Sequence, residues 1–248
     1  MKKAVLITGG SSGIGAATAV EFSNHGYFVY LMGRNKERLG EVAERCRAGV
    51  MLMPCDLKDT TSIDKYLNQA LAVKTTQIEC LVNNAGIYYL KSFEETGLDL
   101  WQETFQVNLY SHVYITQKLF KYFKQYQKGS IVNVSSTLGQ LPISNTTAYS
   151  ASKAAMNNWT MSLALEGGPF NIRANAVCPG IVDTAIHSFH NLPVEKKAEV
   201  LNKMKNLQPL GRIGTPEDIA KSVYFFGCED SAWTTGTILS VDGGINIM

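Results

Sequence analysis

The 248-residue chain has no block of like charge, no cysteine pair at metal or redox spacing and no uninterrupted apolar run of membrane-spanning length. Each absence removes a class of protein. A bilayer-crossing helix needs about 18 or more consecutive apolar residues, so no membrane role is expected. Lysine and arginine total 23 against 21 acidic residues, a net charge of +2 with no basic tract, which leaves nothing to neutralise a nucleic-acid backbone. The five cysteines (Cys46, Cys55, Cys80, Cys178 and Cys228) are odd in number and widely spaced, which excludes a disulfide framework and a zinc site and reads as reduced, buried thiols. Of four histidines only His187 and His190 lie close together, at i, i+3. No acidic or cysteine partner sits nearby to complete a metal set, so they read as surface or pocket-wall residues. Met1-Lys2-Lys3 before an apolar run imitates a secretory signal, but Gly9, Gly10, Gly13 and Gly15 cut that run short. A soluble, cytoplasmic protein of one domain, residues 1–248, is expected.

What is present is alternation. The apolar runs "KKAVLIT", "YFVYLMG", "GVMLMPCD", "IECLVNNAG", "SIVNVSS", "IRANAVCPG" and "TILSVDGG" read as strands, the first of them buried on both faces. Helical spacing separates them, after the first run in "IGAATAVEFSNHG" and then over Lys36–Arg47, Thr61–Val73, Leu98–Tyr126, Ala148–Glu166 and Pro216–Gly227. Right-handed crossovers then predict an α/β fold: a doubly wound seven-stranded parallel sheet with helices on both faces. A helical excursion over residues 185–208 is expected to act as a lid, framed by Pro179-Gly180 and by Thr215, which can cap the last helix with Asp218 three residues on.

In such a sheet ligands gather at the carboxyl ends of the strands. The first run ends in "ITGGSSGIGAAT", which misses both the G-x-G-x-x-G spacing and the Walker ending. Its strand–loop–helix context still suits a pyrophosphate, because glycines permit close backbone approach and a helix N-terminus faces the phosphates. Gly33-Arg34-Asn35, Asp56, Asn83-Asn84-Ala85-Gly86, Ser135-Ser136 and Pro179-Gly180 follow the next five runs. In "AYSASKAA", Tyr149 and Lys153 stand at i, i+4, which places a phenol and an ammonium on one helix face.

These motifs together resemble the short-chain dehydrogenase/reductase family, in its compact branch, from Thr8 to Gly244. The loop from Thr8 to Gly15 is similar to that family's T-G-x-x-x-G-x-G, and Asn83-Asn84-Ala85-Gly86, Asn108, Ser136, Tyr149, Lys153 and Pro179-Gly180 match as well. The resemblance implies an oxidoreductase interconverting a carbonyl and an alcohol on a small, partly apolar molecule. Tyr149 would be the general acid/base, its phenol brought down from an ordinary value of about 10 by the Lys153 ammonium and an oxidised nicotinamide. Ser136 would polarise the carbonyl, and Asn108 would hold a relay water beside Lys153. The dinucleotide would lie along Gly9, Ser11, Ser12, Gly13, Ile14 and Gly15, then Cys55, Asp56 and Leu57 at the adenine, Asn83, Asn84, Ala85 and Gly86 on the adenosine side, and Pro179, Gly180, Val182 and Thr184 towards the carboxamide. Lys153 would also reach the ribose. Leu138, Leu141, Ile143, Ile186 and Phe189 are candidate pocket walls.

At the end of the second run the sequence offers Gly33 instead of the carboxylate that usually binds the ribose of NAD(H). Arg34 follows and can clamp a 2′-phosphate, with Ser11 and Asn35 able to add hydrogen bonds. NADP(H) is therefore expected over NAD(H), although Arg34 packed over the adenine would suit either. Trp101, Phe105, Met156, Trp159 and Leu163 on the long helices, taken with the family's habit, predict a homotetramer, or a homodimer. Two alternatives stand beside the free-ketone reading. One is a 3-oxoacyl-acyl-carrier-protein reductase, which the uncharged Gln127 and Phe170 disfavour, though Lys124 and Lys128 could substitute. The other is a nucleotide-sensing regulator without turnover.

Overall fold

All seven apolar runs form strands: β1 (Lys2–Thr8), β2 (Phe28–Gly33), β3 (Val50–Pro54), β4 (Thr76–Asn83), β5 (Gly129–Val134), β6 (Ile172–Pro179) and β7 (Ile238–Val241). In the computed structural model, which describes residues 1–186 and 193–248, they pair in parallel in the order β3-β2-β1-β4-β5-β6-β7. The order reverses between β1 and β4, and the crevice at such a reversal is where an open α/β sheet binds its ligand. Both of those strands end in the motifs singled out above.

The unbroken apolar character of β1 reflects burial on both faces. Ala4 and Leu6 pack with Ile63 and Leu67 of α3 (Thr60–Leu71), Ile115, Leu119 and Phe123 of α5 (Ser111–Tyr126), and Ala164 of α6 (Thr147–Gly167). Val5 and Ile7 turn the other way, onto Ala16, Ala19 and Phe22 of α1 (Gly13–Asn24), Leu39 of α2 (Lys36–Glu44), and Ile219, Val223 and Phe226 of α8 (Pro216–Gly227). Period-two side chains against helices on either side make the sheet doubly wound.

Helix boundaries follow from their caps. Asn35 accepts the Arg38 amide, and Asp59 accepts those of Thr61 and Ser62. Thr215 forms the expected capping box: its hydroxyl accepts the Asp218 amide while the Asp218 carboxylate accepts the Thr215 amide at 2.8 Å. Arg212 adds two bonds to that carboxylate, at 2.6 and 3.0 Å, and holds its pKa at about 2. One helix departs from expectation. The stretch predicted as a single helix over Leu98–Tyr126 is α4 (Leu98–Phe105), a π-helical turn (Gln106–Tyr110) and then α5. The predicted excursion contains α7 (Val194–Asn206); His187, Phe189 and His190 lie outside the described residues.

Removing the cap hydroxyl with Thr215→Ala leaves the first turn of α8 without its side-chain acceptor, at about 1 kcal/mol. For a chain of this size that is a fall of roughly 2–4 °C in Tm. Differential scanning calorimetry at neutral pH checks it, and an unchanged Tm would show that the cap contributes nothing.

Candidate active site

The glycine loop is shaped by what its backbone must approach. Gly9 has φ +65°, and a Cβ there would stand 2.7 Å from the Ala85 Cα; one at Gly15 would stand 2.3 Å from the Gly9 carbonyl oxygen. Only glycine fits both places. The loop is stitched to the end of β4. The Asn84 side-chain amide donates to the carbonyls of Thr8 (2.9 Å) and Gly9 (3.2 Å), and the Thr8 hydroxyl accepts the amides of Asn84 (2.9 Å) and Ala85 (3.1 Å). Ser12, the N-cap of α1, makes no side-chain cap and the first turn holds no acidic residue. The positive end of this helix borders a cavity of about 430 Å³ whose walls include Ser11, Ser12, Gly13 and Thr184, with Arg45 and the acidic Glu41, Asp183 and Glu217 further along it. The uncapped amides and the dipole at this helix end favour an anionic group such as a diphosphate against the glycine loop.

Beside it, at the ends of β4 and β5, the chemical groups converge. The Lys153 ammonium is buried and donates to the Val134 carbonyl at 2.8 Å. It lies 5.8 Å from the centre of the Tyr149 ring, and Gly86 backs onto both Lys153 and Asn108. The Ser136 hydroxyl accepts the Leu138 amide at 3.1 Å and is also hydrogen-bonded to Tyr149, which leaves it able both to donate and to accept at the site. Asn108 sits in the π-helical turn and is fully buried. Its Oδ1 accepts the Ile87 amide (2.8 Å), and its Nδ2 donates to the Ile87 carbonyl (3.0 Å) and to Ser152 Oγ (3.2 Å). π-Turns recur at functional sites, and this one carries a polar residue inward. Tyr88 meets Tyr149 edge to face, ring centres 4.9 Å apart.

Burial dominates the titration of these groups. It pushes the Tyr149 phenol up to about 12, against a smaller pull downward from Ser136, and pushes the Lys153 ammonium down to about 8. The lowering expected from the Lys153 ammonium together with an oxidised nicotinamide is not seen in the free protein, where desolvation sets the value of the phenol.

The structure brings together Gly9, Ser11, Gly13, Gly15, Asn84, Ala85, Gly86, Asn108, Ser136, Tyr149, Lys153 and Thr184 around one crevice. Gly33 closes against Ser11, where a Cβ would lie 3.6 Å from Ser11 Oγ, and Arg34 is exposed at the rim. Cys55 and Leu57 are buried at the end of β3, while Asp56 turns back to accept the Lys58 amide at 2.9 Å. Two expectations change, for Asn83 and Met156. The Asn83 side chain does not face the crevice: it is fully buried and donates to Asn133 (2.8 Å) and Thr116 (3.1 Å), an interstrand role. The Asn35 side-chain oxygen caps α2, which leaves its Nδ2 hydrogens as the donors for a phosphate. Met156 is buried in its own chain with its sulfur 4.0 Å from the Lys153 ammonium, so it is no interface residue. A residue that sequence reasoning missed is His112, fully buried between Thr8 and Asn108. Its one signal is the i+4 spacing from Asn108.

This geometry agrees with what related proteins show. The short chain dehydrogenase family model matches residues 3–193. A 3-oxoacyl-acyl-carrier-protein reductase of Thermotoga maritima is 34% identical over 99% of this chain and 98% of its own. A 7alpha-hydroxysteroid dehydrogenase of Paraclostridium sordellii is 33% identical over 99% of this chain and 92% of its own, and a meso-2,3-butanediol dehydrogenase of Serratia marcescens 32% over 98% and 94%. Among solved structures, ElxO with NADP bound superposes with a TM-score of 0.89 at 28% identity, covering all of both chains. The chain belongs to the short-chain dehydrogenase family, a class of nicotinamide-dependent oxidoreductases. No helix among the described residues is long and apolar enough to cross a membrane.

Gly9→Ala places a methyl against the Ala85 backbone at positive φ, a strain of about 1–3 kcal/mol. Thermal unfolding and a fluorescence titration with NADP+ should show a lower Tm and weaker binding. Wild-type values in both would mean that the loop is not under this constraint.

Proposed function

We propose that this protein is an NADP(H)-preferring reductase or dehydrogenase that interconverts a ketone or aldehyde and its alcohol on a small, partly apolar, free substrate. The observation that carries the reading is the convergence of Ser136, Tyr149, Lys153 and Asn108 beside the glycine cradle. When bound there, the dinucleotide supplies or accepts the hydride. Gly9, Ser11, Ser12, Gly13, Ile14 and Gly15 would hold its diphosphate, Cys55, Asp56 and Leu57 its adenine, and Thr184 with Pro179, Gly180 and Val182 its carboxamide end. Ser136 donates its hydroxyl proton to the substrate oxygen and polarises the carbonyl. Tyr149 delivers the phenolic proton to that oxygen in reduction and withdraws it in oxidation. Lys153, held at the Val134 carbonyl, presents a fixed positive charge behind the phenol, and Asn108 holds the water through which the proton is replaced. Leu138, Leu141, Ile143 and Ile186 wall the substrate side.

The coenzyme preference rests on the rim of the crevice. Gly33 leaves no carboxylate to repel a 2′-phosphate, Ser11 is adjacent to it, and the exposed Arg34 guanidinium can clamp the phosphate. The NADP bound in ElxO supports this reading.

The carrier-bound acyl substrate is disfavoured by how the two available lysines are used. Lys128 is bonded to Glu229 (2.7 Å) and Glu79 (3.1 Å), and the Lys124 ammonium lies 3.8 Å from the centre of the Phe170 ring. Lys128 is thus already paired with carboxylates, while Lys124 keeps an exposed charge over an apolar ring, so the weight against an acidic carrier rests on Lys128 and on the uncharged Gln127 and Phe170. The intact set of four chemical groups likewise weighs against a regulator without turnover. Exposed Tyr110, Met161 and Leu165, with the half-buried Trp101, Phe105 and Trp159, support a homotetramer or homodimer. Cytoplasmic residence is part of the same reading.

At pH 7, where the phenol is largely protonated with or without coenzyme, Tyr149→Phe should lower kcat by about 10²–10⁴ while leaving NADP+ affinity nearly intact, because it removes the proton donor and little else. Steady-state kinetics on the best ketone of a panel, beside equilibrium dinucleotide binding, gives both quantities. A variant that keeps most of its rate would exclude Tyr149 as the acid. In the coenzyme comparison, wild-type kcat/KM should favour NADPH over NADH, and Gly33→Asp with Arg34→Ala should reverse the order. Equal use of both by the wild type would remove Arg34 from the argument.

A further inference from the structure

His112 lies on α5, four residues after Asn108, and is completely buried. One ring nitrogen, Nδ1, is 3.2 Å from the Asn108 carbonyl oxygen, and the other, Nε2, is 3.3 Å from the Thr8 hydroxyl. Proton accounting fixes the ring's state. A carbonyl only accepts, so Nδ1 carries the hydrogen. Nε2 is then an acceptor, and the Thr8 hydroxyl donates to it while accepting the amides of Asn84 and Ala85. A protonated ring would leave an uncompensated charge in the interior with the Lys153 ammonium nearby, and both influences push its pKa down to about 3.

The two bonds join parts that are otherwise built on different strands and helices. From the glycine loop the path runs through the Thr8 hydroxyl to His112, then to the Asn108 carbonyl. The Asn108 side chain continues it to Ser152 Oγ at 3.2 Å, and Ser152 donates to the Tyr149 carbonyl at 2.7 Å. The same side chain lies against Gly86, beside the Lys153 ammonium.

We propose that neutral His112, as the Nδ1–H tautomer, is a positioning residue that ties the dinucleotide loop at Thr8 to the proton-relay residue Asn108 and the catalytic helix. Binding at the loop and proton transfer at Tyr149 then depend on one buried ring that touches neither ligand. The proposal rests on the dinucleotide-dependent reading above. His112→Leu removes both bonds. Thr8 can still donate to the Val82 carbonyl, 3.3 Å away, but it loses its fixed orientation, and the Asn108 carbonyl loses its side-chain donor. His112→Gln offers one donor and one acceptor about as far apart as the two ring nitrogens.

The test combines three measurements on the full chain. Two-bond nitrogen–proton correlation spectra of histidine-labelled wild type report the tautomer between about pH 5 and pH 9, the range over which an ordinary histidine would titrate. Equilibrium titration with NADP+ and single-turnover rates with NADPH are then compared for wild type, His112→Leu and His112→Gln. Expected are an Nδ1–H ring that stays neutral throughout, a roughly tenfold weaker Kd and a similarly slower rate in the Leu variant, equal to about 1.4 kcal/mol each, and recovery to within a few-fold in the Gln variant. A ring that is protonated in this range or carries its hydrogen on Nε2 overturns the proposal. So does a folded Leu variant with wild-type Kd and rate, or a folded Gln variant as impaired as Leu. If Leu does not fold, the tautomer and the Gln variant decide. Because tautomer and Kd need no substrate, failure of every ketone to react would overturn the proposed function and leave this test standing.

Discussion

One buried ammonium organises the site. Lys153 carries its charge into the protein interior, where an ion without a partner is strongly unfavourable, and the Val134 carbonyl at 2.8 Å is what holds it there. That bond needs the carboxyl end of β5 and the first half of α6 at a fixed separation. The surrounding contacts serve it. The Ser135 hydroxyl donates to the Lys153 carbonyl at 3.2 Å, and the turn after Ser136 passes so near that a Cβ on Gly139 would lie 2.8 Å from the Lys153 carbonyl carbon. Once Lys153 is placed, Tyr149 one helical turn earlier and Ser136 at the end of the neighbouring strand follow by covalent geometry.

The same burial explains the electrostatic character of the site. The phenol stands at about 12, the ammonium at about 8 and the inner imidazole at about 3, each displaced towards its uncharged form. Such a set is poised for the arrival of charge: a positive nicotinamide ring beside Tyr149 would favour phenolate in a low-dielectric setting, where attraction is strong. A change in the charge of the bound coenzyme would then change the basicity of the tyrosine in step with the direction of reaction. On the proposed reading, the glycine cradle and the uncapped end of α1 would bring that charge to this place.

Much of this was legible because it is local in the chain. Strand runs, the glycine loop, the Thr215–Asp218 box and the Tyr149–Lys153 pair are written in spacings of a few residues, and the family's motifs order them. What could not be read depends on partners far away in sequence. Asn83 looks like a crevice residue until Asn133 and Thr116 arrive on either side of it, 50 and 33 residues on. Met156 looks like an exposed apolar position until the fold buries it completely, with its sulfur 4.0 Å from the Lys153 ammonium. The π-helical turn at Gln106–Tyr110 leaves no periodic signature, and His112 gains a role only because Thr8, over a hundred residues earlier, ends the strand beside it. Lys153 and an oxidised nicotinamide were expected together to lower the phenol, and spacing gives no measure of the desolvation that raises it in the free protein.

The most direct measurement is the ionisation of Tyr149 itself, read as the near-ultraviolet phenolate difference between wild type and Tyr149→Phe at about pH 9, where a free phenol is still largely protonated. Without coenzyme the two proteins should give the same phenolate absorbance. With saturating NADP+ the wild type should gain the signal of one phenolate that Tyr149→Phe lacks. An identical response of the two proteins to NADP+ would show that the coenzyme's charge does not act on this phenol, and would contradict the account at its centre.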